Sequence, residues 1–312
     1  MQEFLITLDI MLPLLLTLCV GALLRRIGLM NDATTNGMNK LIFKLLLPVL
    51  LFKNMRDLDT TAAPGFGFAA FVLFGILGVY AAAQLIVPRF LKDPRQSSVV
   101  VQALFRTNFA ILGVPLMQAI FGDAGLAFVA LVLPINIPEN NILSVFALTP
   151  CSGQKADAKK ILRQIVTNPM ILGVVLGAVC LLLNVRLPKA VDKVIGNIAG
   201  LTSTVSLLVL GASLKIQGVM QHRKTLCWML LFKQLIIPLT LAGLAVLLGF
   251  RGMELGVLVI LFGAPTAVSS FPMAQAMGGD GQLAASQVVL TTILSMGTLF
   301  LLIYLCKLCA FF

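Results

Sequence analysis

The chain has 312 residues, of which 59% are hydrophobic and only 11% are charged, and its mean hydropathy is +1.02. Because a soluble domain carries about 25% charged residues, this composition excludes an ordinary soluble protein and indicates one whose solvent is the lipid bilayer. The net charge of +11 comes from residues that lie between apolar segments, which indicates orientation in a membrane and excludes a nucleic-acid partner.

The sequence predicts ten helices that cross the bilayer, since each crossing needs about 20 mostly apolar residues. In chain order they cover residues 4–24, 36–55, 66–87, 97–121, 124–149, 166–184, 196–215, 225–249, 255–278 and 282–305. The longest connection, at 151–165, separates a first five-helix repeat at 1–150 from a second at 166–312. These features predict an all-α polytopic membrane protein.

An internal repeat relates the two halves. The pattern P-x-x-Q-A-x-x-G-D-x-x-L-A occupies residues 115–127 and again 272–284, with a constant offset of 157 residues. Since five helices per half is an odd number, the second half must enter the membrane from the opposite side. The sequence therefore predicts an inverted-topology repeat.

Basic residues between the predicted helices number twelve on one side of the membrane and seven on the other. The side with more is expected to be cytoplasmic. The connection at 151–165 then faces the cytoplasm, and both termini lie on the extracytoplasmic side of the cytoplasmic membrane.

Two helices of this arrangement are interrupted near their centres. Counted from membrane entry near Ser97 and near Glu254, Asn108 and Pro265 each lie eleven residues into the fourth and ninth helices. At about 1.5 Å per residue this is roughly half the thickness of the hydrocarbon core. Non-helical backbone at this depth is tolerated where it is buried in protein or lines a wet cavity. Paired broken helices are typical of a transporter binding site, although prolines that only kink packed helices are the structural alternative. Pro115 and Pro272 follow the two breaks and are further helix-breaking candidates.

Five segments carry a family resemblance: LLLPVLLF at 45–52, FRTNFAILGVPL at 105–116, TNPMILGVVLG at 167–177, LLVLGASL at 207–214 and APTAVSSFPMAQAMGGD at 264–280. In order and spacing they resemble the auxin efflux carrier family, which includes plant auxin carriers and bacterial malonate and malate permeases. The resemblance runs the length of the chain. It implies ten helices in two inverted repeats, crossed and broken helices four and nine, alternating access, and a homodimer.

The resemblance also implies that Asn108 helps to hold a substrate carboxylate and that Pro265 lies at the crossover of the ninth helix. Thr107 stands where the plant carriers have proline, so helix four is expected to be less unwound than helix nine. The long cytoplasmic loop of some plant carriers is missing from the sequence. The chain therefore looks like a short prokaryotic-type member, and a small mono- or dicarboxylate is expected as substrate rather than auxin.

We predict that the substrate site lies at the two breaks. Its candidate residues are Arg106, Thr107, Asn108, Pro265, Thr266, Ser269 and Ser270. Arg106 is either a bidentate carboxylate ligand or a counter-charge to exposed carbonyls or to Glu139. Glu139 either carries a proton, pairs with Arg106 or Lys233, or caps an opened turn beside Pro134 and Pro138. Lys233 either snorkels or compensates the carbonyl end of a half-helix.

Other functional classes find less support. The segment MGGDG at 277–281 is similar to the Gly-x-Gly-Asp motif of membrane aspartyl proteases, but Met277 occupies the first glycine position and the partner Tyr-Asp motif is missing. The six cysteines are scattered, and the sole histidine, His222, lies in a basic loop where we expect it to be solvated. We therefore predict no enzyme, no cofactor and no metal site.

The predicted function is secondary transport of a small organic anion across the cytoplasmic membrane. Two alternatives stay open, which are a sodium-coupled symporter of the bile-acid-transporter type and a passive anion channel. A sodium site at the crossing would prefer a carboxylate among its ligands, and neither broken segment contains one.

Overall fold

The computed structural model describes residues 2–57, 65–152, 167, 169–185, 187–214, 216–309 and 311. Within these ranges the fold is all helical, and its one strand-like pairing is an isolated antiparallel bridge between Thr107 and Thr266. The predicted connection at 151–165 lies outside the described residues, apart from its first two positions.

The first half of the chain contributes six α-helices. They are α1 (Gln2–Arg26), α2 (Asp32–Leu41), α3 (Leu47–Arg56), α4 (Phe66–Phe90), α5 (Pro94–Phe105) and α6 (Phe109–Leu148). A π-helical turn at Ile42–Leu46 joins α2 to α3. The helix α6 is interrupted at Gly122, where φ is 65° and ψ is −150°, and this turn coincides with the predicted boundary between the fourth and fifth helices.

The second half contributes eight α-helices within the described residues. They are α7 (Pro169–Leu182), α8 (Lys189–Ser213), α9 (Ile216–Gln221), α10 (Arg223–Leu231), α11 (Ile237–Leu247), α12 (Gly252–Gly263), α13 (Ser270–Ala276) and α14 (Gly281–Leu308). A π-helical turn at Phe232–Ile236 joins α10 to α11.

Four described helices are long and apolar enough to cross a membrane. They are Phe66–Phe90, Lys189–Ser213, Arg223–Leu247 and Gly281–Leu308. Two shorter apolar helices, Pro169–Leu182 and Gly252–Gly263, accompany them. The all-helical prediction is confirmed, whereas the count of ten spans in two inverted repeats stays a prediction.

Each π-helical turn comes just before a proline, Pro48 in one case and Pro238 in the other. A proline has no N–H to give to the carbonyl four residues back, so a regular α-helix cannot pass through it undisturbed. In the second case the wider turn places two consecutive polar residues, Lys233 and Gln234, in the interior. The side chain of Lys233 is only 1% exposed.

Helices from opposite halves pack closely through glycines. A methyl group at Gly21 of α1 would overlap the carbonyl oxygen of Leu208 on α8, and one at Gly177 of α7 would overlap the carbonyl oxygen of Phe52 on α3. The two glycines are separated by 156 residues, and so are the two carbonyl residues. The first helix of each half therefore packs against the other half through equivalent positions, α1 on α8 and α7 on α3.

The helices α5 and α12 lie at the centre of the molecule. Nine consecutive residues of each, 97–105 and 255–263, are buried. The helices α4, α6, α11 and α14 enclose them. The buried segment of α12 is apolar throughout, as expected for an enclosed helix, whereas that of α5 also contains Ser97, Ser98 and Gln102. Both central helices end just before the residues of the two predicted breaks, α5 at Phe105 and α12 at Gly263.

Candidate functional site

The two interrupted helices meet at their breaks. The backbone N–H of Asn108 donates to the carbonyl of Pro265 at 2.8 Å, and the N–H of Ala267 donates to the carbonyl of Arg106 at 3.3 Å. These bonds form a short antiparallel bridge between the end of α5 and the end of α12. Backbone groups that the broken helices leave unpaired are thus satisfied by each other.

The two interruptions differ in length. Helical geometry stops after Phe105 and resumes at Phe109 in one, and it stops after Gly263 and resumes at Ser270 in the other. The break that contains Thr107 is therefore the shorter one, as expected from threonine in place of proline. Of the two later prolines, Pro272 lies in the first turn of α13 and Pro115 lies within the backbone of α6.

Side chains complete the pairing at the end of α5. The hydroxyl of Thr266 donates to the carbonyl of Ala103, and the ammonium group of Lys233 donates to the carbonyl of Leu104, each at 3.1 Å. A cation at the negative end of a helix is electrostatically favourable. The ammonium group of Lys233 therefore lies in the interior at the carbonyl end of α5, and it does not snorkel to the membrane surface.

Arg106 is held in a ring of neutral acceptors and is only 4% exposed. Its Nη1 donates to Ser144 Oγ at 2.7 Å and to Met273 Sδ at 3.2 Å. Its Nη2 donates to Asn141 Oδ1 and to Ser269 Oγ, each at 2.9 Å. These four contacts use the terminal N–H groups of the guanidinium, so a carboxylate could take a bidentate position only by displacing some of them.

No described carboxylate neutralises Arg106. Its suggested partner, Glu139, forms no ion pair with Arg106 or with Lys233, and both oxygens of the half-buried Glu139 carboxyl group lack a hydrogen-bond partner. A buried charge without a counter-charge is costly in a medium of low dielectric constant. Arg106 is thus an uncompensated positive charge near the crossing.

A cavity of about 490 Å³ opens beside the crossing. Its inner wall includes Arg106, Thr107, Asn108 and Ser269, and its outer part includes Lys53, Asn54 and Asp57. The remaining wall comes from α3, α6 and α8, with the lining residues Leu47, Leu50, Leu51, Leu133, Asn136, Ile137, Asn140, Asn141, Thr202, Ser203 and Ser206. Ala267 and Val268, from the interruption between α12 and α13, complete the lining.

The acid at the outer part of this cavity is already paired. Partial burial raises the pKa of Asp57, but hydrogen bonds from Arg56 and Lys53 outweigh that effect and hold the pKa below its ordinary value. Asp57 is therefore ionised at neutral pH and neutralised by two basic neighbours. The deep part of the cavity has the positive charge of Arg106 and no described acid in its lining.

Five polar atoms of the cavity lining are buried and have no hydrogen-bond partner. They are Thr107 Oγ1, Asn108 Nδ2, Asn136 Nδ2, Asn140 Oδ1 and Ser206 Oγ. Asn108 is the most informative, since it is the N-cap residue of α6 yet its side chain makes no capping bond. Asparagine at an N-cap normally caps its own helix, and buried polar groups are normally paired. These atoms are therefore available to a ligand.

The predicted site residues divide into two groups. Arg106, Thr107, Asn108 and Ser269 line the cavity. Pro265, Thr266, Ser270 and Lys233 do not line it, and the bonds described above show that Pro265, Thr266 and Lys233 hold the crossing together.

Sequence reasoning did not name the asparagines of α6 or the cavity residues of α3 and α8 as ligand-binding residues. A signal for α6 was present, because Asn136, Asn140 and Ser144 are spaced four residues apart and so share one helix face. The lining residues Asn54 and Ser206 had no comparable signal, since nothing in their sequence context indicates which face meets the crossing.

The opposite side of the crossing is closed by polar contacts. Gln275 at the end of α13 donates to Asn36 Oδ1 at 3.0 Å and accepts from Asn39 of α2. Gln282 of α14 donates to the carbonyl of Ser213 at the end of α8, at 3.2 Å. The cavity therefore extends toward the exposed Asp57 at the end of α3, whereas polar contacts join the helix ends on the Asn36 side.

Comparison with known proteins gives an independent result. A family model described as "Membrane transport protein" matches residues 6–303. An uncharacterized transporter of Methanothermobacter thermautotrophicus is 23% identical over 302 residues, which cover 93% of this chain and 95% of that protein. A protein of Rhizobium meliloti named "Putative malonate transporter" is 23% identical over 308 residues, which cover 96% of this chain and 95% of that protein.

Proposed function

The chain belongs to the membrane transport protein family, and from this premise we propose that it is a secondary transporter of a small organic anion, a mono- or dicarboxylate. The observation that carries this proposal is the set of partnerless polar atoms facing a cavity that contains the uncompensated charge of Arg106. The name of the Rhizobium relative, a malonate transporter, agrees with a carboxylate substrate.

The chemistry of the cavity favours an anion. Arg106 contributes positive potential in a site of low dielectric constant, and an anionic ligand offsets the cost of burying that charge. The positive end of the α6 dipole lies at Asn108 and adds to the same potential. Because the terminal N–H groups of Arg106 are engaged, the direct donors to a carboxylate are the free amide of Asn108, the amide of Asn136 and the Thr107 hydroxyl.

An inverted repeat of ten helices is the architecture we propose around this site, with repeats at 1–150 and 166–312. The equivalent contacts of Gly21 with Leu208 and of Gly177 with Phe52 support it, because a twofold relation between halves exchanges one contact for the other. In the proposed orientation the termini and the Asp57 end of α3 face outward from the cytoplasmic membrane.

Transport then proceeds by alternating access. The open cavity beside Asp57 and the polar contacts of Gln275 and Gln282 support an outward-open state as the one described above. Anion binding at the crossing precedes a movement of one helix bundle against the other, which breaks the Gln275 contacts and opens the cytoplasmic side.

Two measurements test the proposal: a thermal-shift screen of the purified protein, and flux assays after its reconstitution into proteoliposomes. Malonate, malate, succinate, acetate and pyruvate are screened by thermal shift, since a ligand that binds only the folded state raises its apparent stability. We expect one or more of them to stabilise the protein and to show saturable counterflow. Flux without saturation or counterflow indicates a channel, and flux that requires sodium indicates the symporter. Absence of any carboxylate response contradicts the proposal.

A further inference from the structure

A second cavity of about 810 Å³ lies on the outer surface of the helix bundle, away from the crossing. One wall is the face of α4 that carries Phe71, Gly75, Gly78, Ala82, Ile86 and Phe90. The other wall is formed by Trp228 of α10, Phe232 of the π-helical turn, and Ile237, Leu241 and Leu244 of α11. Leu104 of α5 forms part of the floor. We call this cavity the α4–α11 groove.

The lining of the groove suits a hydrocarbon chain. Apart from Thr240, every residue that lines it is apolar or glycine. Glycine and alanine on α4 give the groove its depth, since within the described part of the chain a methyl group at Gly78 would meet no atom within 4 Å. In a membrane, lipid fills such a groove, because its walls offer no polar partner to water.

Basic residues cluster at one end of the groove. On α4, Arg89 is three residues after the lining residue Ile86, and on α10, Lys224 is four residues before the lining residue Trp228. Residues three or four apart share a helix face, so both side chains follow the groove to its end. Lys92 and Arg223 lie beside them, and all four are exposed.

These cations have no acidic partner within the part of the chain that the structure describes. Among the residues described, none of Arg89, Lys92, Arg223 and Lys224 forms an ion pair with an acid. The nearby carboxylate of Asp93 is occupied with capping α5, where it accepts from the N–H of Arg95. At the other end of the groove, Arg251 is engaged with the carbonyls of Val246 and Phe250. Within the described structure, free positive charge is therefore found at the Arg89 end of the groove and not at the Arg251 end.

We propose that the α4–α11 groove is a binding site for one anionic phospholipid. One acyl chain lies in the groove against Gly78 and Trp228, and the phosphate lies between Arg89 and Lys224. Basic residues at the membrane end of an interhelical cleft are a recognised basis for anionic headgroup binding. A zwitterionic lipid fills the same groove, but its own ammonium group offsets its phosphate and is repelled by the basic cluster, so anionic lipid is preferred.

The chain carries its own reporter for this site. Trp228 is the single tryptophan of the sequence and lines the groove. Phospholipids with brominated acyl chains quench tryptophan on contact, so quenching of Trp228 measures occupancy. The protein is reconstituted in phosphatidylcholine vesicles that contain increasing mole fractions of brominated phosphatidylglycerol or brominated phosphatidylcholine. We expect half-maximal quenching at a mole fraction at least fivefold lower for the phosphatidylglycerol.

Two variants, each with a matched control, test which residues cause the preference for phosphatidylglycerol. Arg89→Gln with Lys224→Gln should reduce the fivefold preference to below twofold, whereas Lys189→Gln with Lys193→Gln, which removes the same charge at the start of α8, should retain it. Gly78→Leu should fill the groove and weaken quenching by both lipids. Gly297→Leu is its control, since that exposed position of α14 also has free space around it in the described structure.

The comparison of the two brominated lipids uses the wild-type protein, so it does not depend on the folding of any variant. Equal quenching by the two lipids overturns the proposal and leaves an ordinary lipid contact. A phosphatidylglycerol preference that survives loss of Arg89 and Lys224 overturns it as well, because the selectivity then has another origin. The quenching measurements do not involve transport, so their outcome is independent of the function proposed above.

Discussion

The backbone amide of Asn108 donates a 2.8 Å hydrogen bond to the carbonyl oxygen of Pro265, which belongs to the other half of the chain. This bond joins the two interrupted helices through their main chains. The amide nitrogen of the Asn108 side chain therefore takes no part in holding the crossing, and it is buried without a partner beside Arg106. The main chain of Asn108 therefore supports the crossing, and its side chain is free for the ligand contact proposed above.

Asn108→Ala should therefore lower ligand affinity without weakening the crossing. Loss of a hydrogen bond to a charged group costs about 1.5–3 kcal/mol, so we expect carboxylate affinity to fall about 10- to 100-fold. Unfolding temperature should stay nearly unchanged, since the side chain has no partner in the protein. Counterflow in proteoliposomes and a thermal melt measure the two effects. Asn197→Ala, on the exposed face of α8, is the control, and undiminished transport by Asn108→Ala excludes Asn108 from the site.

The position of the crossing could be predicted from the sequence. A proline and an asparagine at equal depth in two apolar segments allow few arrangements in a bilayer, because open backbone at that depth must be enclosed. The internal repeat then relates the two segments to each other. The same reasoning led to Arg106, Thr107, Asn108 and Ser269, all of which line the cavity.

The partners of these residues could not be predicted, since they come from distant helices whose rotation no local pattern specifies. Arg106 donates hydrogen bonds to Asn141 and Met273 rather than to Glu139. His222 was expected to be solvated, and this was wrong. It is 7% exposed because the start of α14 folds over its loop and brings Asp280 within 3.3 Å of the imidazole.

Variants of Arg106 should separate charge from hydrogen bonding. Arg106→Gln and Arg106→Ala remove the positive potential, and we expect both to lose saturable carboxylate transport. Arg106→Lys keeps the charge but cannot reproduce the planar fork that reaches both Asn141 and Ser269. It should transport with KM raised about tenfold, equivalent to about 1.4 kcal/mol.

The matching measurement is the concentration dependence of uptake, together with size-exclusion profiles that verify folding. A purely structural Arg106 predicts the same loss for lysine and glutamine, in step with lowered thermal stability. Wild-type transport by Arg106→Gln contradicts the electrostatic role altogether.

Glu139→Gln tests whether this carboxyl group carries a proton. Both of its oxygens lack partners among the described atoms, so the variant keeps the shape of the side chain and removes only its charge. We expect uptake by the wild type to rise when the outside is made more acidic, and uptake by Glu139→Gln to lose this response while counterflow persists. Glu254→Gln, at the start of α12, is the control. An unchanged pH profile in Glu139→Gln rejects Glu139 as the proton carrier.

The contacts of Gly21 and Gly177 predict equal consequences in the two halves of the chain. A methyl group at either position overlaps a backbone carbonyl of the neighbouring helix, which cannot move aside as a flexible side chain can. We expect Gly21→Ala and Gly177→Ala each to destabilise the protein by about 1–3 kcal/mol, in the range of overpacking substitutions.

The control is Gly200→Ala on α8, where a methyl group has no neighbour within 4 Å in the described structure. That substitution should be neutral or stabilising by up to about 1 kcal/mol, because alanine is the better helix former. Thermal melts in detergent compare the three variants. If Gly21→Ala and Gly177→Ala differ as much from each other as from Gly200→Ala, the two contacts are not equivalent, and the twofold relation between the halves loses its packing evidence.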